Sequence, residues 1–176
     1  QASGLLNPDF EEGKTGWNLS GDSAYPSKWQ IVPTHNTGSY GLLADNCQNY
    51  ISQSFDPVPT QSIIELSFAT LTDVNGETMV SLLYSNKTTQ TFYFETTAYI
   101  WQTRDLTASL LSDNYLQKIQ VTTWSGNVND MNIDTTYDTF KLETSSSNIP
   151  EPSSKSLLFY GLIALLLIRN QFQRVL

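Results

Sequence analysis

Apolar and polar residues alternate one by one along much of the first 143 residues. This period of two places apolar side chains on one face of an extended strand and polar side chains on the other. The apolar positions of the clearest segments are Ile64, Leu66 and Phe68, then Val80, Leu82 and Tyr84, then Phe92 and Phe94, and then Ile119 and Val121. The pattern predicts β-strands that each bury one face.

Turn-forming residues separate these segments at spacings typical of an all-β sandwich or barrel, roughly ten residues. The turn signals, rich in Gly, Asn, Asp and Ser, are residues 37–39, 73–76, 85–87 and 125–127. No segment before residue 144 shows a convincing 3.6-residue period, although residues 106–111 could form a single helical turn. We therefore expect an all-β fold over residues 1–143, an antiparallel β-sandwich of the jelly-roll kind.

The chain changes character after residue 143. Residues 144–152 are a linker, first of Ser, Thr and Asn and then Pro150-Glu151-Pro152. Such a composition cannot bury a core, so we expect a flexible spacer between the sandwich and the tail.

Residues 157–168 form an apolar run near the C-terminus. As a helix the run would measure about 18 Å, or about 24 Å if the helix begins at Ser153. This is short for a hydrocarbon core of roughly 30 Å, but snorkelling of Lys155 and local bilayer thinning can make up the difference. Arg169 and Arg174 follow the run, and positive charge favours the cytoplasmic side.

Residues 153–176 are therefore predicted to be one short transmembrane helix with a basic cytoplasmic tail, and the sandwich lies on the other side of the membrane. The alternative is a buried core helix. The nearly uniform apolar circumference favours the membrane, because a helix at the end of a soluble domain usually keeps one polar stripe.

The Pro150-Glu151-Pro152 element, the short apolar helix and the basic end together resemble the PEP-CTERM sorting signal. The resemblance implies a bacterial protein that is exported and held in the inner membrane as a precursor. It also implies an exosortase, a membrane protease, as partner, and the cell surface or extracellular matrix as destination. The chain departs from the family pattern because Arg169 and Arg174 are spread apart where a tighter basic cluster is usual.

Charge and cysteine content narrow the choice of partners and compartment. Sixteen of the 17 acidic residues but only six of the nine basic residues precede residue 149, so this part carries a net charge of −10. Such a charge repels nucleic acid and anionic lipid headgroups, and we exclude both as partners. The single Cys47 excludes an intrachain disulfide. Gln1, without Met or an apolar leader, suggests a mature protein from which a signal peptide was removed.

Three short segments resemble those of galactose-binding-domain-like carbohydrate-binding modules. Residues 6–13, followed by Gly16-Trp17, resemble the opening strand of that family. Residues 37–43 resemble its Gly-Ser turn into a strand, and residues 137–142 resemble its closing strand. The resemblance implies a jelly-roll fold and a carbohydrate ligand such as an exopolysaccharide or an envelope glycan.

In that family a structural Ca²⁺ often lies between the first and last strands. The matching positions are Glu11 and Asp138, with the backbone carbonyl of Asp9 and carbonyls of residues 36–39 as further donors. Calcium takes six to eight oxygen ligands, so paired carboxylates suit it. The family often has a second Asp where this chain has Thr139. The alternative is that the two carboxylates are ordinary solvated charges.

Carbohydrate recognition needs exposed aromatic faces with hydrogen-bonding groups beside them. Trp124 alternates with apolar positions of its strand and is the first candidate. Tyr93 is the second candidate and Trp29 the third. Trp17 and Trp101 match structural positions of the family. For each candidate, packing within the core is the alternative.

An enzymatic function has little support in the sequence. His35 is the only histidine, and no nucleophile motif, phosphate-binding loop or Cys/His metal spacing accompanies it. A carboxylate pair suited to glycoside hydrolysis is a weaker alternative. We expect a non-catalytic protein that binds carbohydrate. The competing hypothesis is a structural or adhesive matrix protein with no small ligand.

Overall fold

The computed structural model describes residues 4–20, 28–45, 49–124 and 133–145. These residues belong to one unit, Gln1–Ser145, whereas a second unit, Ser146–Leu176, lies outside the described residues. The predictions for Pro150-Glu151-Pro152, for the apolar helix and for the basic tail also fall outside them and stay predictions. In the ranges that are described, no helix has the length and apolar character needed to cross a membrane.

Ten β-strands make up nearly all of the regular structure in these ranges. In chain order the strands are β1 (Asn18–Ser20), β2 (Lys28–Val32), β3 (Gly41–Asp45), β4 (Asn49–Pro59), β5 (Ile63–Thr72), β6 (Gly76–Tyr84), β7 (Thr89–Thr96), β8 (Gln102–Asp105), β9 (Tyr115–Trp124) and β10 (Thr135–Thr144). Two single turns of 3-10 helix, Thr60–Ser62 and Thr107–Ser109, lie between strands. The all-β prediction is confirmed, and the second turn lies where one helical turn was predicted.

The strands form two five-stranded antiparallel sheets. The first sheet has the order β1-β4-β9-β6-β7, and the second sheet has the order β2-β3-β10-β5-β8. Both sheets contribute buried apolar residues to one core cluster. This arrangement is the predicted β-sandwich, in which each sheet keeps one face for the core and one outer face.

Inward-facing residues of both sheets form the core. The predicted positions that are buried are Leu66, Phe68, Val80, Leu82, Tyr84, Ile119 and Val121. Ile64 differs, since 59% of it is exposed and Ile63 takes the core position instead. The pairing of β5 with β10 shifts register at this point, and such a bulge offsets a simple alternation.

The N-terminal segment, residues 4–17, is irregular and is not the predicted opening strand. Asn7 has a φ of 45° and Phe10 a φ of 57°, and this left-handed conformation interrupts any strand. The Asn7 side chain accepts a hydrogen bond from the Glu12 amide at 3.0 Å and donates one to the Gly13 carbonyl at 2.8 Å. These bonds replace the sheet partners that a strand would have had.

The segment nevertheless lies beside the last strand, as the resemblance implied. The Phe140 amide of β10 donates a hydrogen bond to the Pro8 carbonyl at 2.9 Å. The Trp17 ring packs 5.4 Å from the Phe10 ring and 4.6 Å from the Phe140 ring, between centroids. The packing role predicted for Trp17 is confirmed.

The last strand runs one residue further than the predicted end of the sandwich. Thr144 pairs with Ile63, and the Ser145 amide donates a hydrogen bond to the Ser62 carbonyl at 2.7 Å. The backbone of Thr144 therefore belongs to the sheet and not to the linker.

Candidate functional site

Asp138 is a buried carboxylate on the outer side of the second sheet. Tyr137 packs in the core, so the next residue of β10 points to the opposite face. The register of β10 against β5 shifts between Asp138 and Lys141, and Thr139 within that bulge has a φ of 52°. The Asp138 side chain lies under the connection between β2 and β3, residues 33–40, and none of its surface is exposed.

Backbone amides satisfy this buried charge. Asp138 Oδ2 accepts hydrogen bonds from the amides of Asn36 at 2.6 Å and Thr37 at 2.9 Å. Its Oδ1 accepts one from the Thr139 amide at 2.6 Å. The Thr139 hydroxyl also lies 2.8 Å from the Thr37 hydroxyl, so the residue in place of the family's second Asp still contacts the turn.

Glu11 holds the same turn from the N-terminal segment. Its Oε1 accepts hydrogen bonds from the amides of Ser39 at 2.5 Å and Tyr40 at 2.9 Å. Gly38, which precedes Ser39 in this turn, has a φ of 72°, and an added Cβ would lie 2.5 Å from Glu11 Oε1. We call Glu11, Asp138 and the turn of residues 36–40 the carboxylate clamp.

The clamp brings two of the predicted calcium ligands to one turn, and Asp9 lies half-buried in the same N-terminal segment as Glu11. Carboxylate oxygens are donors that calcium prefers, so Glu11 and Asp138 are of the right chemical type for such an ion. Within the described ranges, no group of three or more His, Cys, Asp and Glu side chains is placed to hold a metal. Backbone carbonyls would therefore have to complete the coordination. The amide bonds already give both carboxylates partners, so their convergence does not depend on an ion.

The outer face of the first sheet carries a row of four side chains that begins and ends with a tyrosine. Tyr50 pairs with Thr122, Thr122 with Met79, and Met79 with Tyr93, so the row crosses β4, β9, β6 and β7. Tyr50 is 39% exposed and Tyr93 59% exposed. Three strand spacings separate the backbones of the two tyrosines, or about 14 Å. We call these four residues the tyrosine row.

Polar side chains lie beside the tyrosine row. The next row along the strands contains Gln120, Ser81 and Thr91, which pair in that order. On the other side, Glu77 pairs with both Glu95 and Trp124. This face therefore combines exposed aromatic rings with hydroxyl, amide and carboxylate groups.

The three aromatic residues predicted to contact a ligand have different positions. Tyr93 lies on the outer face, and its neighbours Phe92 and Phe94 pack against the core, as predicted. Trp124 is the last residue of β9, but its side chain lies outside the described residues and its role stays a prediction. Trp29 packs against the core with its ring 6.3 Å from that of Tyr137, a position that favours the packing alternative.

Sequence reasoning missed Tyr50 and Met79. The signal for Tyr50 was present, because Tyr50 and Ser52 alternate with the buried Ile51 in β4. Nothing in the sequence places β4 next to β9, however, and only that neighbour relation puts Tyr50 in the same row as Met79.

No known protein family and no curated protein matches the sequence. Solved structures with a similar fold include TmCBM61 in complex with β-1,4-galactotriose, with a TM-score of 0.59 and 16% identity over 82% of this chain and 99% of that one. A family 11 carbohydrate-binding module from Clostridium thermocellum, in complex with a β-1,3-1,4-mixed-linked tetrasaccharide, has a TM-score of 0.54 and 13% identity. The match covers 82% of this chain and 98% of that one.

A family 16 carbohydrate-binding module is similar as well, with a TM-score of 0.53 and 19% identity over 79% of this chain and 98% of that one. At these identities the likeness concerns the fold. The chain has the β-sandwich architecture that these carbohydrate-binding modules share.

Proposed function

We propose that the protein is a non-catalytic polysaccharide-binding protein whose ligand lies on the tyrosine row. The observation that carries the proposal is the placement of exposed Tyr50 and Tyr93 in one row across an outer sheet face, with hydrogen-bonding side chains in the next row. Sugar rings stack their C–H faces on aromatic rings, and their hydroxyls bond to polar groups beside them.

Two further observations support this proposal. The carbohydrate-binding modules of similar fold include structures solved with β-1,4-galactotriose and with a mixed-linked tetrasaccharide. The net charge of −10 before residue 149 favours a neutral glycan, because an acidic polysaccharide would be repelled.

Binding of residues 1–145 to neutral polysaccharides, first on a glycan array and then by calorimetry, tests the proposal. We expect Tyr93→Ala to weaken binding about tenfold, or about 1.4 kcal/mol. Tyr40→Ala is the matched control, because Tyr40 is 44% exposed but lies on the turn over the second sheet. Equal losses in both variants would show that the tyrosine row is the wrong surface. Silence of the unmodified protein on every glycan would favour a structural or adhesive matrix protein instead.

The proposal extends to export and sorting. Recognition by an exosortase is supported by three features of the tail, which are Pro150-Glu151-Pro152, the apolar run and the basic end. The precursor would be held in the inner membrane, and the processed protein would reach the cell surface or the matrix. Intact mass and cell fractionation test it. We expect the tail after the Pro-Glu-Pro element to be missing from the protein outside the inner membrane. An intact tail in the inner membrane would contradict sorting.

The proposal also includes a structural calcium ion at the carboxylate clamp. An ion bound by the folded state alone would stabilise that state, and its ligands would include Glu11 and Asp138. We expect excess chelator to lower the Tm of the unmodified protein and to leave that of Glu11→Gln nearly unchanged. An equal Tm with and without chelator in the unmodified protein would exclude the ion.

A further inference from the structure

Among the described residues, strand β7 is an edge of the first sheet. Within the described residues it pairs only with β6, through eight consecutive residue pairs without a register shift. The other three outermost strands are short, with three residues in β1, five in β2 and four in β8. Natural sheets protect their edges with short strands, bulges, prolines or lysines. β7 has eight residues, no proline and no lysine.

The hairpin that joins β7 to β6 determines which backbone amide and carbonyl groups of β7 point away from β6. The Thr88 carbonyl accepts a hydrogen bond from the Tyr84 amide, so even-numbered residues bond toward β6. Successive residues of an antiparallel strand point their amide and carbonyl groups to opposite sides. The amide and carbonyl groups that point away from β6 are therefore those of Thr91, Tyr93 and Glu95. The Arg104 guanidinium donates a hydrogen bond to the Glu95 carbonyl, which agrees with this direction.

The strand is complementary to itself when two copies run antiparallel around a two-fold axis at Tyr93. Tyr93 then pairs with its symmetry mate, Thr91 with Glu95, and Phe92 with Phe94. The outward-pointing groups of the first two pairings form hydrogen-bonded pairs, in which the Glu95 carbonyl accepts a second hydrogen bond besides the one from Arg104. Aromatic residues meet aromatic residues on both faces, and no like charges lie opposite each other. The strand's one charged residue, Glu95, meets a hydroxyl.

We infer that β7 is a docking edge for β7 of a second copy of this chain, and that the pair joins two first sheets into one ten-stranded sheet. Each copy carries a net charge of −10 before residue 149, so repulsion opposes the contact. Salt screens this repulsion, so association strengthens as ionic strength rises. If the proposed glycan function holds, the two tyrosine rows lie end to end in the joined sheet.

Sedimentation equilibrium without any glycan tests the inference. Residues 1–145 are used, because they contain both sheets and the whole core cluster and leave out the apolar tail. We expect a monomer–dimer equilibrium whose Kd falls as salt is raised. Thr91→Lys places a lysine opposite Glu95 twice per dimer and should tighten the Kd about tenfold, whereas Thr91→Glu should weaken it by a similar factor.

Ser81→Lys is the control for charge alone. Ser81 pairs with Thr91 on the same face but lies in β6, one strand in from the edge. Ser81→Lys makes the net charge of each copy less negative by one, as Thr91→Lys does, but it places no lysine opposite Glu95. We therefore expect a smaller gain in dimer affinity from it. A monomer at every salt and protein concentration would overturn the inference. Equal effects of Thr91→Lys and Ser81→Lys, or no difference between Thr91→Lys and Thr91→Glu, would also overturn it.

Because no glycan is present, failure of this test leaves the proposed carbohydrate binding untouched. Conversely, a dimer that binds no glycan would retain the inference and contradict the proposed function. The Tm of each variant shows that it is folded before its association is compared.

Discussion

The outer faces of the two sheets differ in what covers them. On the second sheet, the turn of residues 36–40 lies over β10, and Asp138 beneath it is fully buried. The approach is close, since a Cβ on Gly41 would lie 2.8 Å from Thr136 Cγ2 and 2.4 Å from the Thr34 carbonyl oxygen. On the first sheet, Tyr50 and Tyr93 remain exposed.

This difference separates stability from binding. A buried carboxylate with amide partners stabilises the fold, because removing it leaves those amides without acceptors. An exposed aromatic ring adds little stability and is available to a ligand. Substitutions in the second sheet's clamp should therefore change the free energy of unfolding, and substitutions in the tyrosine row should change affinity.

Asp138→Ala should have the largest effect of any single substitution considered. It removes the acceptor of three amide hydrogen bonds in a buried site, and we expect the free energy of unfolding to fall by about 3 kcal/mol. For a domain of this size the Tm should fall by roughly 10 °C. Chemical denaturation and calorimetry measure the two quantities.

Glu143→Ala is the matched control for that substitution. Glu143 is an exposed carboxylate in the same strand, so its loss should change the free energy of unfolding by less than about 0.5 kcal/mol. A loss as large as that in Asp138→Ala would mean that the amide hydrogen bonds of the clamp are not the reason why Asp138 stabilises the fold.

Gly38→Ala should have the next largest effect. Its φ of 72° is unfavourable for alanine, and the new Cβ would collide with Glu11 Oε1. We expect a loss of about 2 kcal/mol in the free energy of unfolding. Gly13→Ala is the control for backbone strain, because Gly13 has a φ of 71° but nothing within 4 Å of the added Cβ.

Gly13→Ala should therefore lose only about 1 kcal/mol. The double variant Glu11→Ala/Gly38→Ala extends the test, because the collision disappears once the carboxylate is gone. Its loss should be smaller than the sum of the two single losses. Strict additivity would show that Gly38 and Glu11 act independently.

The sequence predicted the strands better than it predicted how they are assembled. Alternation identified the buried positions of β5, β6 and β9 because each strand has one face in the core. It failed at Ile64, where a bulge breaks the period. The family resemblance failed in residues 4–17, where it implied an opening strand but the side chain of Asn7 supports turns.

The candidate sites were predictable to different degrees. The clamp residues Glu11 and Asp138 were found through the family resemblance, since they are 127 positions apart in the chain and nothing local connects them. Tyr93 was found from local alternation alone. Tyr50 and Met79 join it only through the order of strands in the sheet, which is a long-range property.

Tyr50→Ala tests whether the outer face of the first sheet serves binding and not stability. The ring is partly exposed, so we expect the free energy of unfolding to change by about 0.5 kcal/mol or less. Affinity for the polysaccharide should fall about tenfold, as in Tyr93→Ala. If stability falls as much as in Gly38→Ala while affinity per folded molecule is unchanged, the first sheet's outer face is structural and the comparison between the faces is wrong.

The smallest effect concerns Tyr137, whose phenol lies inside the sandwich under the second sheet. Burial raises the pKa of the Tyr137 phenol, and its hydrogen bond with the Thr123 hydroxyl at 3.1 Å opposes that rise only in part. An unfolded phenol ionises near pH 10, so above about pH 10 the unfolded state loses a proton that the folded state keeps. The contribution to stability is complete below that pH and declines as pH rises toward the folded pKa.

At pH 10.5 the resulting loss in the free energy of unfolding is below about 1 kcal/mol. We expect the free energy of unfolding of Tyr137→Phe to fall less between pH 8 and pH 10.5 than that of the unmodified protein, because this loss is absent. Tyr137→Phe also lacks the hydrogen bond to Thr123, which lowers stability equally at both pH values, so only the change with pH is informative. Tyr93→Phe, on the exposed outer face, provides the control. If both variants follow the pH dependence of the unmodified protein, the phenol of Tyr137 is accessible to solvent and the core between the two sheets is packed less tightly than the burial of Tyr137 implies.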